Sequence, residues 1–406
     1  MHLTRRHLIG SAAVAASLSS VSARAQTPTL KIGVLTDLSG PYKDLAGVAS
    51  TAAAQLAVAE FGAAARGMTV EVVQADHQDK ADVGVEVARK WFDQDGVDVI
   101  IDVANSGVSL AVSNVAREKN KVLLAGGPAT SDLTGAKCNV NTIHWVYDTW
   151  MLAHSTGSAL VKAGGDTWFF ITADYAFGKA LQRDAGTFVT AAGGKVLGSL
   201  AYPFPGTTDF SSLLLQAQSS GAKVIGLANA GADTVNSIKQ AREFGITQTL
   251  AGLLVFLSDV HALGLETAQG LAVSETFYWD LNDRTRAFSD RLWARLPNRR
   301  PTMVHAGAYS CVLHYLKAAA DMGVAQIKSD GAAAVARMKA MPTDDDCFGT
   351  GRIREDGRKI HPCYLFQVKK PSESKRPWDY YNLLGTVPAE EAFRPLKDGG
   401  CPLVKI

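Results

Sequence analysis

Two rhythms alternate along this chain. Short, densely apolar runs are each followed by a longer stretch whose apolar positions recur every third or fourth residue. The first rhythm suits a strand covered on both faces, the second an amphipathic helix packed against it. Strands are predicted at Leu30–Leu35, Thr69–Gln74, Val97–Asp102 and Val122–Ala125, with helices over about 45–61, 81–92 and 109–118 between them. The pattern then restarts. Helices over about 150–162, 177–191, 210–219 and 233–244 alternate with strands at Thr167–Thr172, Lys195–Ala201 and Lys223–Leu227. Repeated β-α-β order predicts an α/β protein with two successive doubly wound, Rossmann-like units, each a parallel sheet with helices on both faces. Beyond residue 280, longer helices are predicted at 284–296, 301–322 and 331–338, then a β-hairpin around Glu355-Asp356-Gly357 and an irregular tail.

The N-terminus follows another pattern. Arg5-Arg6, an uncharged stretch from Leu8 to Val21 and Ala23-Arg24-Ala25 read as a cleavable export signal over residues 1–25. Thr4-Arg5-Arg6-His7-Leu8-Ile9 is also similar to a twin-arginine signal. The apolar stretch is shorter than the ~20 residues that span a bilayer, so an exported, periplasmic protein is expected. The chain has 406 residues, 47% of them hydrophobic and 20% charged, which is ample for two domains with their own cores. Its 41 Lys+Arg against 39 Asp+Glu give a net charge of +2, too even a balance for a nucleic-acid binder. Residues 1–25 hold three Arg and no acid, so the remainder carries a formal charge of −1. A monomer is expected.

An oxidising compartment permits disulfides among Cys138, Cys311, Cys347, Cys363 and Cys401. Cys347 and Cys363 flank the predicted hairpin at equal distances from Glu355, which predicts a bridge between them. Cys311, in an apolar helix, is expected as a buried free thiol, and the partners of Cys138 and Cys401 stay open. The cysteines lack the close pairing and accompanying His pair of a metal site, so no metal and no cofactor is expected.

Candidate chemistry gathers where strands turn into helices, the place at which open α/β sheets bind ligands. The turns are Thr36–Tyr42, Ala104–Ser109, Gly126–Ser131, Asp174–Gly178 and Ala228–Asp233. Hydroxyls beside unpaired backbone N–H groups at a helix start suit an anion such as a carboxylate. No nucleophile elbow, phosphate loop, zinc helix or dinucleotide fingerprint is present, and no catalytic residue is expected.

Four segments in order carry a resemblance: Leu30–Gly40, Gly127–Thr134, Asp174–Gly178 and Ile238–Arg242. Together they are similar to the periplasmic leucine/isoleucine/valine-binding proteins, type I solute-binding proteins of ATP-driven (ABC) importers. The resemblance spans nearly all of residues 28–370. It implies two lobes joined by three crossovers, the first over 26–146 plus 277–347, the second over 147–276 plus 348–385, and a tail at 386–406. It implies that Asn105, Ser106 and Gly107 with Ala129, Thr130 and Ser131 clamp a ligand carboxylate. Tyr175 or Phe177 would close over the ligand, with Asn229 and Ala230 as further second-lobe contacts. The family's amino-acid binders hold the ligand ammonium with an acid in a second-lobe loop. The matching stretch here, Gly252–Leu257, has none before Asp259. A buried ammonium without a counter-charge is costly. The expected ligand is therefore a carboxylate lacking the amino group, an aromatic acid of benzoate or phenylpropanoid type, stacked on rings such as Tyr42, Tyr147, Phe256 and Tyr278. Branched-chain or other amino acids come second, short amides or urea third. A secreted α/β hydrolase using Ser106 is a distant alternative. The implied partner is an inner-membrane ABC permease that recognises the closed form, with delivery to a membrane sensor an equal fit to the fold.

Overall fold

The apolar runs become strands because little along them needs water: Ile32, Val34 and Leu35, like Val99, Ile100 and Ile101, are fully buried. The computed structural model describes residues 29–405; the predicted export signal lies outside the described residues. In the first lobe β1 (Thr29–Thr36), β2 (Thr69–Asp76), β3 (Val99–Asp102), β4 (Val122–Ala125) and β5 (Thr142–His144) form one parallel sheet in the order β2-β1-β3-β4-β5. Helices α1 (Gly47–Phe61), α2 (Ala81–Lys90) and α3 (Ser106–Glu118) connect its strands. The second lobe repeats the plan. After α4 (Thr149–Lys162), strands β6 (Thr167–Ala173), β7 (Lys195–Tyr202), β8 (Val224–Ala228) and β9 (Thr249–Gly252) run parallel in the order β7-β6-β8-β9. Its connecting helices are α5 (Ala176–Ala191), α6 (Ser211–Ser219) and α7 (Ala232–Glu243). The short strands β5 and β9 were not predicted: β5 has three residues, and β9, with sequence Thr-Leu-Ala-Gly and an exposed start, has no dense apolar run.

This order decides where a ligand can go. In each sheet the winding reverses beside its first strand, between β1 and β3 and between β6 and β8. At such a switch point the two following turns diverge and leave a crevice outside the strand ends. The two crevices face one another.

Past β9 come α8 (Leu257–Leu263), α9 (Leu265–Ala268) and β10 (Ala272–Glu275). Then α10 (Asp283–Arg295), α11 (Met303–Met322), α12 (Val324–Ser329) and α13 (Gly331–Ala340) return to the first lobe. There Thr302 Oγ1 donates to Leu45 O at 2.8 Å, His305 Nε2 lies 2.9 Å from Ala46 O, and Tyr309 donates to Glu60 at 2.6 Å. The hairpin of β11 (Arg352–Ile353) and β12 (Lys359–Ile360) is where expectation and structure part. It lies against the first lobe, with His144 N donating to Gly357 O at 2.9 Å, whereas residues 348–385 were assigned as a block to the second. Only β13 (Cys363–Val368) and β14 (Tyr381–Val387) leave it, joining β10 in a separate antiparallel sheet. Arg358 holds the hairpin down. Fully buried, its guanidinium donates to Val146 O at 2.8 Å, to Tyr147 O at 3.3 Å and to Asp148 at 3.4 Å, clamping the crossover between β5 and α4.

The predicted Cys347–Cys363 bridge is corrected. Both are buried free thiols, as is Cys311, and the disulfide joins Cys138 to Cys401 with Cα atoms 5.6 Å apart. Two features defeat the prediction. The hairpin pairs Arg352 with Ile360 and Ile353 with Lys359, so it is centred on Asp356 rather than Glu355, and its ladder ends after those two pairs. Beyond them Cys347 stays in a turn whose N–H groups are held by Asp345, while Cys363 enters β13 opposite Val387.

Thiol titration of the denatured, unreduced protein should find the three free cysteines, and five after reduction. The bridge spans 263 residues of sequence, and replacing Cys138 and Cys401 by Ser should lower unfolding stability by about 2–4 kcal/mol in denaturant titration.

Candidate functional site

The turn after β1 is built around one carboxylate. Asp37, fully buried, accepts from the backbone N–H of Ser39 at 3.1 Å, of Gly40 at 2.6 Å and of Tyr42 at 2.7 Å. That turn aims the Tyr42 ring across the cleft. After β3, the Asn105 side chain caps α3 by accepting from Gly107 N and Val108 N at 2.9 and 3.1 Å. Ser106, next to the cap, turns its Oγ toward the turn after β4, where it accepts from Ala129 N at 3.3 Å and Thr130 N at 3.1 Å. The Ser106 O–H proton has no acceptor among the described residues.

The second lobe answers with rings. Tyr175 and Phe177 open α5, and the Tyr175 hydroxyl meets that of Tyr42 at 2.5 Å. Phe204, from the end of β7, stacks on both tyrosines at 4.4 and 5.3 Å between centroids. Gly231 opens α7 at φ +60°, where a Cβ would stand 2.5 Å from Pro41 O of the other lobe. The lobes are therefore in contact. Tyr42, Leu45, Ala104, Ser106, Gly127 and Ala129 face Tyr147 of the crossover and Tyr175, Phe177, Ala230, Leu254 and Phe256. Between them lies about 210 Å³ of space, of which only ≈ 10 Å³ can take the centre of a water molecule. An aromatic ring needs far more than one water's room, so it enters only as the lobes part. Burial pushes the Tyr42, Tyr147 and Tyr175 phenols well above their usual range, which keeps all three as neutral hydroxyls.

Of the expected residues, Tyr42, Ser106, Ala129, Tyr147, Tyr175, Phe177, Ala230 and Phe256 line one cavity. Asn105 and Gly107 lie behind Ser106 as cap and first turn, and the Thr130 hydroxyl caps a short turn by accepting from Asp132 N at 3.3 Å. Ser131 faces the other lobe. Its hydroxyl donates to Asp184 of α5 at 2.8 Å, Thr149 donates to the same oxygen at 2.6 Å, and Arg183 reaches back to Asp132 at 3.1 Å. Asn229 is spent on Thr234 and Ser237 inside its own lobe. Tyr278 is not among the residues lining the cavity: it packs on Phe366 and Tyr381 of the antiparallel sheet and donates to Trp378 O at 3.2 Å. The reading missed Leu45, Ala104, Gly127, Leu254 and Phe204. Ala104, Gly127 and Leu254 lie within stretches already singled out but were not chosen from them, Leu45 follows the first turn and Phe204 the end of β7, which was the available signal. Among the described residues, no group of three or more His, Cys, Asp or Glu is placed to hold a metal ion.

The profile of the family described as periplasmic binding protein matches residues 29–375, and the chain belongs to that family, in its type I, leucine/isoleucine/valine-binding-protein-like form. It is similar to a periplasmic binding protein from Burkholderia mallei, with 48% identity and a TM-score of 0.89 over 93% of this chain and 99% of the other. It is also similar to a branched chain amino acid ABC transporter periplasmic ligand-binding protein from Burkholderia xenovorans, with 40% identity and a TM-score of 0.79 over 92% and 99%. A Rhodopseudomonas palustris ABC transporter solute binding protein in complex with benzoate shares the fold at 22% identity, TM-score 0.79, over 92% and 100%. No curated protein sequence matches the chain significantly. The protein is thus a periplasmic solute-binding protein of an ABC transporter, of a non-enzymatic family. Among the described residues no helix is long and apolar enough to cross a membrane.

Tyr175→Phe strands the Tyr42 hydroxyl and should cost the closed form about 1 kcal/mol, raising the open fraction roughly fivefold. Small-angle scattering of the ligand-free protein reads this as a larger radius of gyration. An unchanged radius would count against the tyrosine pair as a closing contact.

Proposed function

We propose that the protein captures a small aromatic carboxylate, of benzoate or phenylpropanoid type, by lobe closure and hands it to a membrane permease. One observation carries the reading: the cavity wall offers hydroxyl and backbone N–H donors and a set of aromatic rings, and no carboxylate is part of it. The Ser106 O–H and the N–H groups of Ala129 and Thr130 converge where a carboxylate oxygen would replace the long contacts they now make with one another. Charge-assisted bonds of that kind are the stronger ones. Tyr147, Phe177 and Phe256 would hold the ring, with Tyr147 and Phe256 already edge to face at 5.7 Å. Closure follows from differential contact: the second lobe's rings gain surface only when a planar ligand lies between the lobes.

A second reading, branched-chain amino acids, is favoured by the 40% identical relative, a branched chain amino acid ABC transporter periplasmic ligand-binding protein. It requires a counter-charge for the ammonium, and no wall residue is acidic; the buried carboxyls adjoining the wall are Asp259, which accepts from Phe256 N at 2.9 Å, and Asp102 beside Gly127, while Asp79 and Asp233 lie near the Tyr42–Tyr175 pair.

Thermal-shift and calorimetric titration with benzoate, 4-hydroxybenzoate, cinnamate, leucine and urea tests the choice, since a ligand that binds only the folded state raises the melting temperature. Aromatic acids should bind and leucine should not; a shift with leucine alone sinks the reading. Ser106→Ala should weaken the aromatic acid by roughly 1.5–3 kcal/mol, about 10- to 150-fold, without lowering the ligand-free melting temperature by a comparable amount.

A further inference from the structure

Behind the Tyr42–Tyr175 pair stands a carboxyl that the binding scheme above does not use. Asp79 follows β2 and is 8% exposed. Its Oδ1 accepts from Asn105 Nδ2 at 3.2 Å, the same side chain that caps α3 in front of Ser106. Its Oδ2 has no N–H or hydroxyl donor among the described residues and is turned to Asp37. Asp37 Oδ2 and Asp79 Oδ2 each stand 2.8 Å from the point a Cβ on Gly40 would occupy. Two buried carboxyls in contact cannot both ionise. Asp37 already takes three backbone N–H groups, and burial beside it raises the Asp79 carboxyl, so the shared proton sits on Asp79.

The groups around Asp79 supply no cation to change this. From the β1–α1 turn they are Asp37 and Tyr42, from its own segment Asp76 and His77, from the β3–α3 turn Asn105, and from the second lobe Tyr175. His77 accepts the Asp79 N–H on Nδ1 at 3.0 Å, and burial holds its imidazole down to about 4, so it is neutral at physiological pH.

We propose that Asp79 is a positioning and specificity residue of the ligand site: as a neutral acid sharing one proton with Asp37, it ties the Tyr42 turn to the Ser106 helix and lets an anion dwell in the cleft. This rests on the anionic-ligand reading given above. Ionised, the same carboxyl would repel the ligand, push against Asp37 and favour a cation in its place. Burial and the Asp37 charge push Asp79 up to about 8, so the change falls just above neutral pH. The sign follows directly. A raised folded-state value means that stability is full below the unfolded value near ~3.9 and is lost as pH rises toward the folded one.

The experiment uses the processed, full-length protein and Asp79→Asn, which keeps a neutral side chain able to donate to Asp37. Ligand-free melting temperatures are measured from pH 4.5 to 9.5 for both, and benzoate affinity by calorimetry from pH 6.5 to 9.5. The Asn variant should gain stability over wild type as pH rises to about 8, then hold a constant lead. Wild-type benzoate affinity should fall roughly tenfold across its range, a factor of ten for each unit by which the bound anion raises the Asp79 value, while the variant stays flat. A stability difference independent of pH, or a flat wild-type affinity profile, overturns the proposal. The expected stability profile with no benzoate binding at any pH in either protein overturns the anionic-ligand reading and the specificity role with it, and upholds the shared proton.

Discussion

Each lobe winds its sheet outward from its first strand, and the geometry of the cleft follows from that shared handedness of construction. A parallel strand must turn into a helix at its carboxyl end, and where the winding reverses, two such turns separate and leave their N–H groups and side chains without a neighbour. One lobe alone would offer a shallow notch. Two lobes set notch to notch make an enclosed chamber from loops that each sheet had to possess in any case. The sheets supply the rigidity that the loops lack, so the chamber's walls are fixed within each lobe and adjustable only between them.

The wall also shows a division of labour. The first lobe contributes short polar side chains and backbone donors, held by buried hydrogen bonds such as those to Asp37 and from Asn105. The second contributes most of the rings, with Tyr42 the first lobe's own. On the proposed reading, a ligand meeting the first lobe alone would find its orienting contacts before its covering ones, and closure would then depend on a correctly placed guest. The Ser131–Asp184–Thr149 bonds and the Arg183–Asp132 pair add a lobe-to-lobe attraction that does not involve the guest at all. It sets how far the empty protein leans toward closure.

Much of this could be read from the residues, and the limits are instructive. Apolar runs flanked by turn chemistry marked the longer strands, and their ends marked the loops that reach the cleft. What a linear pattern does not contain is which side of a loop faces the chamber. Asn105 and Ser106 are adjacent, yet one is consumed in capping α3 while the other turns its hydroxyl outward. Ser131 and Asn229 carry suitable groups, spent on neighbours brought close only by the fold. Tyr278 was expected among the rings stacked on the ligand around the cleft; it serves an antiparallel sheet assembled from segments almost a hundred residues apart. The hairpin cysteines failed on register: a ladder shifted off its expected centre and ending after two pairs sends its flanks to different partners.

The Cys138–Cys401 bond has a topological meaning beyond stability. It makes a single covalent ring of everything between those residues, which takes in the whole second lobe, every crossover and the helices that return to the first lobe. Any one peptide bond inside that ring can be cut and the two fragments stay joined. Outside the cytoplasm, where proteases act on exposed loops and no fresh copy is made on site, a molecule so closed can be nicked and still hold both halves of its chamber together.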